Sequence, residues 1–250
     1  MHDERAKLMK VVWVMRYLPT VNRERAQRYW RTHHAGLGRR VWAMPWYLQN
    51  HWVEAIGPTG VAPDREPDFG GYSVAWFDGM AGFQRCTTSP EMLTMDADAF
   101  NIFDVEAALS GWSAILDETV TVLSETPEVE LFKVAWTARY RPGLDRNDAH
   151  REWIGGHREL LNRVPGIRRH AQNHALEVVG VAGDGVVGDI PLQFDGITEL
   201  WFDDRPSYER AMASPAWQAV LDDAGRFFDL DAAWEGAAGV VDHAWISERL

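Results

Sequence analysis

Residues 29–34 read Tyr-Trp-Arg-Thr-His-His, and residues 47–54 read Tyr-Leu-Gln-Asn-His-Trp-Val-Glu. The pattern recurs 123 residues downstream, where residues 152–157 read Glu-Trp-Ile-Gly-Gly-His and residues 170–177 read His-Ala-Gln-Asn-His-Ala-Leu-Glu. Between residues 10–57 and 133–180, 19 of 48 gap-free pairs are identical. An internal repeat constrains the fold more strongly than any local pattern. The chain is therefore a tandem duplication.

Each half contains the same series of predicted elements. Period-two and apolar runs predict strands at 8–17, 45–56, 71–77 and 114–123, and again at 133–140, 168–179, 196–202 and 240–246. A helix follows the first strand of each half, and another follows the third strand. The resulting βαββαβ order is the ferredoxin-like arrangement. We predict an α+β protein built from two fused ferredoxin-like units, residues 1–126 and 127–250.

Composition argues against several kinds of partner. The net charge of −12 does not suit nucleic acid, because phosphate binding needs a basic surface. No apolar run reaches the roughly 18 residues of a membrane-spanning helix. The first residues lack a signal-peptide pattern, and the chain has one cysteine, Cys86. We therefore expect a cytoplasmic protein with no nucleic-acid or membrane partner.

The first helix of each half carries a histidine on its apolar face. His34 follows Trp30 by four residues, and His157 follows Trp153 in the same way. Imidazole titrates near neutral pH, so both histidines are candidate catalytic residues. The alternative is a buried structural histidine that is hydrogen-bonded to the backbone. The two tryptophans are candidate substrate contacts, although core packing is the competing interpretation.

The second strand of each half carries a polar triplet. Alternation places Tyr47, Gln49 and His51 on one face, and Asn50 with Glu54 on the other. One face should meet the helices and any pocket, and the sequence does not say which. For Asn50 and its repeat equivalent, a buried polar network is the competing interpretation. The candidate set on these strands is catalytic His51 and His174, with substrate contacts Gln49, Gln172, Asn50, Asn173, Tyr47 and His170.

Two tyrosines end the first strand of each half. Tyr17 and Tyr140 are candidate proton donors to a substrate oxygen, and a solvent-facing hydroxyl is the alternative for both. We find no cluster of cysteine, histidine and carboxylate residues with zinc-like spacing. Residues 183–188 fit a dinucleotide-binding glycine pattern, but no helix is predicted after them, so the context fails. We therefore predict no metal and no cofactor.

These motifs together resemble the EthD domain family. They are a strand ending in Arg-Tyr, a helix with tryptophan and histidine four residues apart, Gln-Asn-His on the next strand, a Trp-Phe-Asp strand end and a Ser-Pro helix start. The resemblance covers nearly the whole chain, once per half. It implies the dimeric α+β barrel superfamily, in which two ferredoxin-like units pack sheet to sheet. One chain would supply both units here, as a pseudo-dimeric barrel.

The superfamily, by this resemblance, includes cyclases, isomerases, cofactor-free monooxygenases, dehydratases and haem-binding enzymes. Fold likeness alone does not choose among them. Our leading hypothesis is a cofactor-independent enzyme that uses histidine acid/base chemistry on a hydrophobic aromatic or polyketide-like molecule, in an isomerisation, cyclisation or dehydration. The alternatives are a haem-binding barrel enzyme and a non-catalytic small-molecule-binding module. A homodimer of the pseudo-dimeric chain stays open.

Overall fold

Eight strands form the framework of the protein. The computed structural model describes residues 8–59, 69–180, 190–232 and 238–248, so the glycine pattern at 183–188 lies outside the described residues. Each strand begins and ends within two residues of its predicted bounds. The strands are β1 (Met9–Arg16), β2 (Trp46–Ala55), β3 (Phe69–Phe77), β4 (Ser113–Val122), β5 (Phe132–Ala138), β6 (Ile167–Val178), β7 (Gly196–Phe202) and β8 (Ala238–Glu248).

Helices cover the outer face of these strands. Serine, asparagine and aspartate side chains cap several of them: Asn22 and Asp145 begin the first helix of each half, and Ser89 and Ser214 begin two helices that start with proline. The first half contains α1 (Arg23–Tyr29), α2 (Ala35–Gly38), α3 (Gly79–Thr87), α4 (Pro90–Ala99) and α5 (Val105–Leu109). The second half contains α6 (Arg146–Glu152), α7 (Arg158–Leu161), α8 (Arg205–Met212) and α9 (Pro215–Ala224).

The histidine-bearing helix of each half is interrupted by a π-helical turn. Residues Trp30–His34 form this turn between α1 and α2, and Trp153–His157 form it between α6 and α7. The sequence pattern predicted a regular helix here, and the structure adds this irregularity at the same place in both halves. Single π turns within α-helices occur frequently at functional sites.

All eight strands close into one antiparallel barrel in the order β1-β3-β2-β8-β5-β7-β6-β4. Within the first half the order is β4-β1-β3-β2, and the second half repeats it as β8-β5-β7-β6. The halves join through β2 with β8 and through β4 with β6. The chain is therefore an α+β protein whose two repeats complete a single closed barrel.

The barrel interior holds a network of buried charges among apolar side chains. Lys133 Nζ lies 2.5 Å from Glu199 and 2.7 Å from the Asn50 amide oxygen. Lys10 Nζ lies 2.7 Å from the Asn173 amide oxygen and 2.6 Å from Glu118. Burial alone would raise the pKa of Glu199, but the two lysines outweigh it and hold this pKa well below its usual range. The network ties the two halves together, because its members come from both.

No helix among the described residues has the length and apolar character needed to cross a membrane.

Candidate functional site

A cavity of about 70 Å³ lies in the first half, between the outer face of the barrel and the helices. Its apolar walls include Trp13, Trp30, Met92, Met95 and Phe103. Phe100 belongs to the same lining and is 59% exposed, so the cavity reaches the surface beside the end of α4. The polar side chains of the lining are His34, Tyr47, Ser73, Thr87 and Asp96. Three sequence candidates, His34, Trp30 and Tyr47, thus meet at one cavity.

His34 is fixed in this wall by a carboxylate on α4. Its Nδ1 atom lies 2.8 Å from Asp98 Oδ2, and the imidazole is only 5% exposed. The other carboxylate oxygen, Oδ1, accepts a hydrogen bond of 2.6 Å from the Tyr29 hydroxyl and one of 3.2 Å from the Asn101 amide. Because an ionised carboxylate only accepts hydrogen bonds, Nδ1 carries the proton of a neutral His34. The lone pair is then on Nε2, the nitrogen that Asp98 does not use.

Asp98 remains ionised over the physiological pH range. Burial alone would raise its pKa, but the hydrogen bonds from His34 and Tyr29 outweigh this effect and lower the pKa to about 2. A carboxylate behind an imidazole orients the ring and stabilises the imidazolium that forms when the ring takes a proton. The His34–Asp98 pair therefore has the geometry of an oriented general base.

Asp96 contributes a second carboxyl group to the cavity. It lies two residues before Asp98 on α4, yet its Oδ2 atom is buried without a hydrogen-bond partner among the described residues. Burial raises the pKa of Asp96 to about 6. Two neighbouring carboxyl groups of one helix thus have opposite environments, and such a separation of pKa values is typical of acid and base roles.

The second half repeats the histidine–carboxylate pair but packs it differently. His157 Nδ1 lies 3.0 Å from Asp223 Oδ2. Burial lowers the pKa of His157, and Asp223 partly opposes that shift. Trp217 stands where the first half has Met92, and its ring lies 6.1 Å from that of Trp136. The larger indole occupies the helix position from which Met92 lines the cavity in the first half.

Tyr47 brings a hydroxyl group to the cavity wall. The side chain is 2% exposed, and its hydroxyl oxygen accepts a hydrogen bond of 3.3 Å from the Gln49 amide. Burial raises the pKa of Tyr47, so the phenol keeps its proton and can donate it in a hydrogen bond. At the equivalent position in the second half, His170 Nε2 pairs with the Asn162 amide oxygen at 2.8 Å.

His51 lies behind the cavity rather than in its lining. Its ring centroid is 4.3 Å from that of Trp30, and its Nε2 atom lies 3.3 Å from the Gln49 side-chain oxygen. Burial, with a smaller contribution from the positive charge of Arg31, lowers the pKa of His51 to about 3. The face of β2 that carries Gln49 and His51 therefore meets the helices, and Asn50 points into the barrel. The two faces of this strand separate as the alternation predicted.

His174, the equivalent of His51, belongs to a different cluster. Its Nδ1 atom lies 3.2 Å from the Tyr140 hydroxyl, and its ring stacks on His150 with centroids 3.8 Å apart. Burial, with the charges of His150 and Arg146, lowers its pKa to about 4. His174 and Tyr140 thus contact each other, although they do not join His34.

The remaining candidates have structural surroundings. Tyr17 is buried, and its ring stacks on Phe103 with centroids 5.7 Å apart. Trp153 is fully buried, and its backbone carbonyl accepts a hydrogen bond of 2.5 Å from the Gln172 amide. Asn50 and Asn173 lie in the barrel network. None of these five side chains belongs to the cavity lining.

Haem does not fit this site. His34 could present Nε2 to an iron, with Asp98 behind Nδ1, which is a usual arrangement for a metal-binding histidine. A porphyrin, however, is far larger than a cavity of about 70 Å³. Among the described residues, no group of three or more histidine, cysteine, aspartate or glutamate side chains could hold a metal ion.

Sequence reasoning missed three carboxylates of these sites, Asp96, Asp98 and Asp223. A signal for two of them was present, because Asp98 and Asp223 occupy the same repeat position at the offset of 125 residues that relates Ser89 to Ser214. Asp96 has no such signal, since the second half has Leu221 there.

The family model described as EthD domain matches residues 18–106 and 141–231, once in each half. Among solved structures, the chain is similar to an anthrone oxidase-like protein, with a TM-score of 0.60, 14% identity, and coverage of 98% of this chain and 95% of that one. It is also similar to a protein provisionally assigned as a monooxygenase from Fusobacterium nucleatum subsp. nucleatum, with a TM-score of 0.53, 10% identity, and coverage of 96% and 92%. At these identities the likeness shows the fold alone. No curated protein matches the sequence.

Proposed function

The chain belongs to the EthD domain family, and from this premise we propose that it is a cofactor-independent enzyme acting by histidine acid/base chemistry on a hydrophobic aromatic or polyketide-like molecule. One observation carries the proposal: His34 lies in the wall of an apolar cavity, and Asp98 holds its Nδ1 atom at 2.8 Å. Isomerisation, cyclisation and dehydration all begin with a proton transfer that such a base can perform.

The cavity walls support an aromatic substrate class. Trp13, Trp30 and Phe103 offer flat aromatic faces, and Met92 with Met95 offers flexible sides. An apolar cavity that binds benzene measures about 150 Å³, so the methionines and Phe100 must move before a cavity of about 70 Å³ admits an aromatic ring. The name of one structural neighbour, anthrone oxidase-like protein, refers to anthrone, an aromatic ketone, which agrees with this substrate class.

His34 would act as the general base. Nε2 takes a proton from a carbon beside a carbonyl group, and the resulting imidazolium is stabilised by the ionised Asp98. The Tyr47 hydroxyl, on strand β2 in the cavity wall, can donate a hydrogen bond to the substrate. A positioned acid or base contributes about 10²- to 10⁴-fold to the rate.

We place this activity in the first half. The second half keeps His157 with Asp223, but Trp217 replaces Met92 there and packs against Trp136. His157 therefore provides an internal control for His34. Each histidine is hydrogen-bonded to an aspartate, but the neighbouring residue is Met92 in the first half and Trp217 in the second.

The test is hydrogen–deuterium exchange at the carbon beside the carbonyl of 2-tetralone, followed by NMR in deuterated buffer. The protein should accelerate exchange, His34→Gln should reduce it by about 10²-fold or more, and His157→Gln should leave it unchanged. Thermal unfolding of both variants verifies the fold. An unaltered rate in His34→Gln, or no acceleration by the unmodified protein, would overturn the proposal and favour a non-catalytic binding module.

We also propose that each half of the chain is a ferredoxin-like unit. The strand orders β4-β1-β3-β2 and β8-β5-β7-β6 support ferredoxin-like units, with the boundary between residues 126 and 127, just before the 3₁₀ turn Glu128–Glu130. The single cysteine, Cys86, is free and buried, which suits a cytoplasmic location.

A homodimer of the pseudo-dimeric chain would be tested by light scattering.

A further inference from the structure

Asp96 places a carboxyl group in the same cavity as His34. Its Oδ2 atom is buried and has no hydrogen-bond partner in the part of the chain that the structure describes. Asp98, two residues later, is by contrast saturated by His34, Tyr29 and Asn101. An unpaired buried carboxyl group costs stability, because it loses its hydrogen bonds to water without replacement.

The fold does not need a carboxyl group at this position. The equivalent residue of the second half is Leu221, which is partly buried against the apolar cluster around Trp217. An apolar side chain therefore serves the same helix position elsewhere in the molecule. The cost of Asp96 thus requires an explanation other than packing.

We propose that Asp96 is the second proton-transfer group of the cavity, and that the substrate is a flat, conjugated ketone whose carbonyl oxygen lies against Asp96 while an adjacent carbon lies against His34. This inference rests on the proposed function of the same site. It narrows that function to isomerisation of an unsaturated ketone through its enol.

The proton balance of the reaction closes within the cavity. His34 Nε2 takes a proton from the carbon beside the carbonyl group, and the neutral Asp96 carboxyl gives its proton to the carbonyl oxygen, which forms a neutral dienol. The imidazolium then returns its proton to a different carbon of the conjugated system. The Asp96 carboxylate takes back the hydroxyl proton, so that the carbonyl group re-forms and both side chains regain their starting states.

The groups that face Asp96 allow it to hold a proton. They are the Cys86 thiol on α3, the Tyr47 phenol on β2 and the imidazole of His34. Burial raises the pKa of the thiol and of the phenol, so both groups keep their protons. No arginine or lysine belongs to the cavity lining. Burial raises the pKa of Asp96 to about 6, which agrees with a carboxyl group that holds a proton in this cavity.

The decisive experiment measures the binding of 2-tetralone and of tetralin, which lacks the carbonyl oxygen, at pH 5 and at pH 7.5. A ketone only accepts hydrogen bonds, so it should bind about tenfold more weakly at pH 7.5, where Asp96 is ionised. Tetralin should change little. In Asp96→Asn the amide still donates a hydrogen bond but does not titrate, so 2-tetralone binding should become independent of pH.

The same variant should also exchange deuterium into 2-tetralone at pH 5 at least about tenfold more slowly, because an amide does not transfer the proton. A pH dependence that persists in Asp96→Asn, an unaltered exchange rate in that variant, or no 2-tetralone binding at pH 5 would overturn the inference.

The two proposals fail separately. If His34→Gln abolishes exchange while Asp96→Asn behaves like the unmodified protein, His34 remains the base and Asp96 loses its role. If Asp96→Asn removes the pH dependence of binding while His34→Gln still exchanges normally, Asp96 holds the ligand and the histidine mechanism is wrong.

Discussion

His34 Nδ1 lies 2.8 Å from Asp98 Oδ2, and the repeat reproduces this contact at 3.0 Å between His157 and Asp223. Each pair joins the π turn of one helix to a second helix that begins at a Ser-Pro step. The contact is therefore part of the architecture of the repeat. In the first half a cavity lies beside the imidazole, and we propose that this space gives the pair a chemical role there.

Asp98→Asn should separate the architectural role of this pair from its chemical role. An asparagine amide can donate to Nδ1, which would move the proton to Nε2 and remove the lone pair that the proposed base needs there. We expect exchange of 2-tetralone to fall by about 10²-fold or more. The free energy of unfolding, measured with urea, should fall by about 1–3 kcal/mol, because a charged hydrogen bond is lost.

Asp223→Asn is the matched control for this variant. It removes the same bond from the second half, so it should cause a comparable loss of stability while exchange continues at the unmodified rate. An equal loss of exchange in both variants would mean that the carboxylates act through the stability of the whole barrel. It would then be wrong to assign the chemistry to the first half.

Buried neutral histidines should make the protein sensitive to mild acid. Burial, with a smaller contribution from Arg31, lowers the pKa of His51 to about 3, whereas an unfolded histidine titrates near 6.5. The unfolded state therefore binds the proton first, and stability falls as the pH decreases from about 6.5 towards 3. One such group contributes about 1.4 kcal/mol per pH unit across this interval.

His51→Gln should remove this contribution. Its free energy of unfolding should decline less steeply between pH 6 and pH 4 than that of the unmodified protein, as urea titrations at several pH values would show. Parallel slopes for the two proteins would indicate that His51 is protonated without cost, and its position behind Trp30 would need another explanation.

The repeat and its periodicity were sufficient to predict the barrel elements and the position of His34. The spacing of Trp30 and His34 is local, so a helical pattern reports it directly. The alternation of side chains along β2 correctly placed Gln49 and Asn50 on opposite faces of the strand. It did not identify which face meets the helices, because period two defines two faces and leaves open what packs against each.

The rest of the site depends on contacts between distant parts of the chain. Asp98 is 64 residues from His34, and only the tertiary fold brings α4 against the π turn. Lys10 and Lys133 lie inside the barrel because Glu199 and two asparagines accompany them there, which a strand pattern does not report. The Oδ2 atom of Asp96 has no hydrogen-bond partner among the described residues, so no pairing rule predicts it.

The difference between Met92 and Trp217 should decide which half admits a ligand. Met92 lines the cavity beside Trp13, whereas Trp217 packs against Trp136 and donates a hydrogen bond of 2.9 Å from its indole nitrogen to the Pro58 carbonyl. Met92→Trp should fill the cavity and abolish 2-tetralone binding, measured by calorimetry. Its stability should be retained, because the new ring occupies space that is already open.

Trp217→Met is the reciprocal change and serves as the control. It should lower the free energy of unfolding by about 3 kcal/mol, because a packed indole and its hydrogen bond are lost, while the first half continues to bind 2-tetralone normally. Binding that survives in Met92→Trp would place the ligand outside this cavity. Binding that disappears in Trp217→Met would move the site to the second half, beside His157, and would reverse the roles assigned to the two histidine–aspartate pairs.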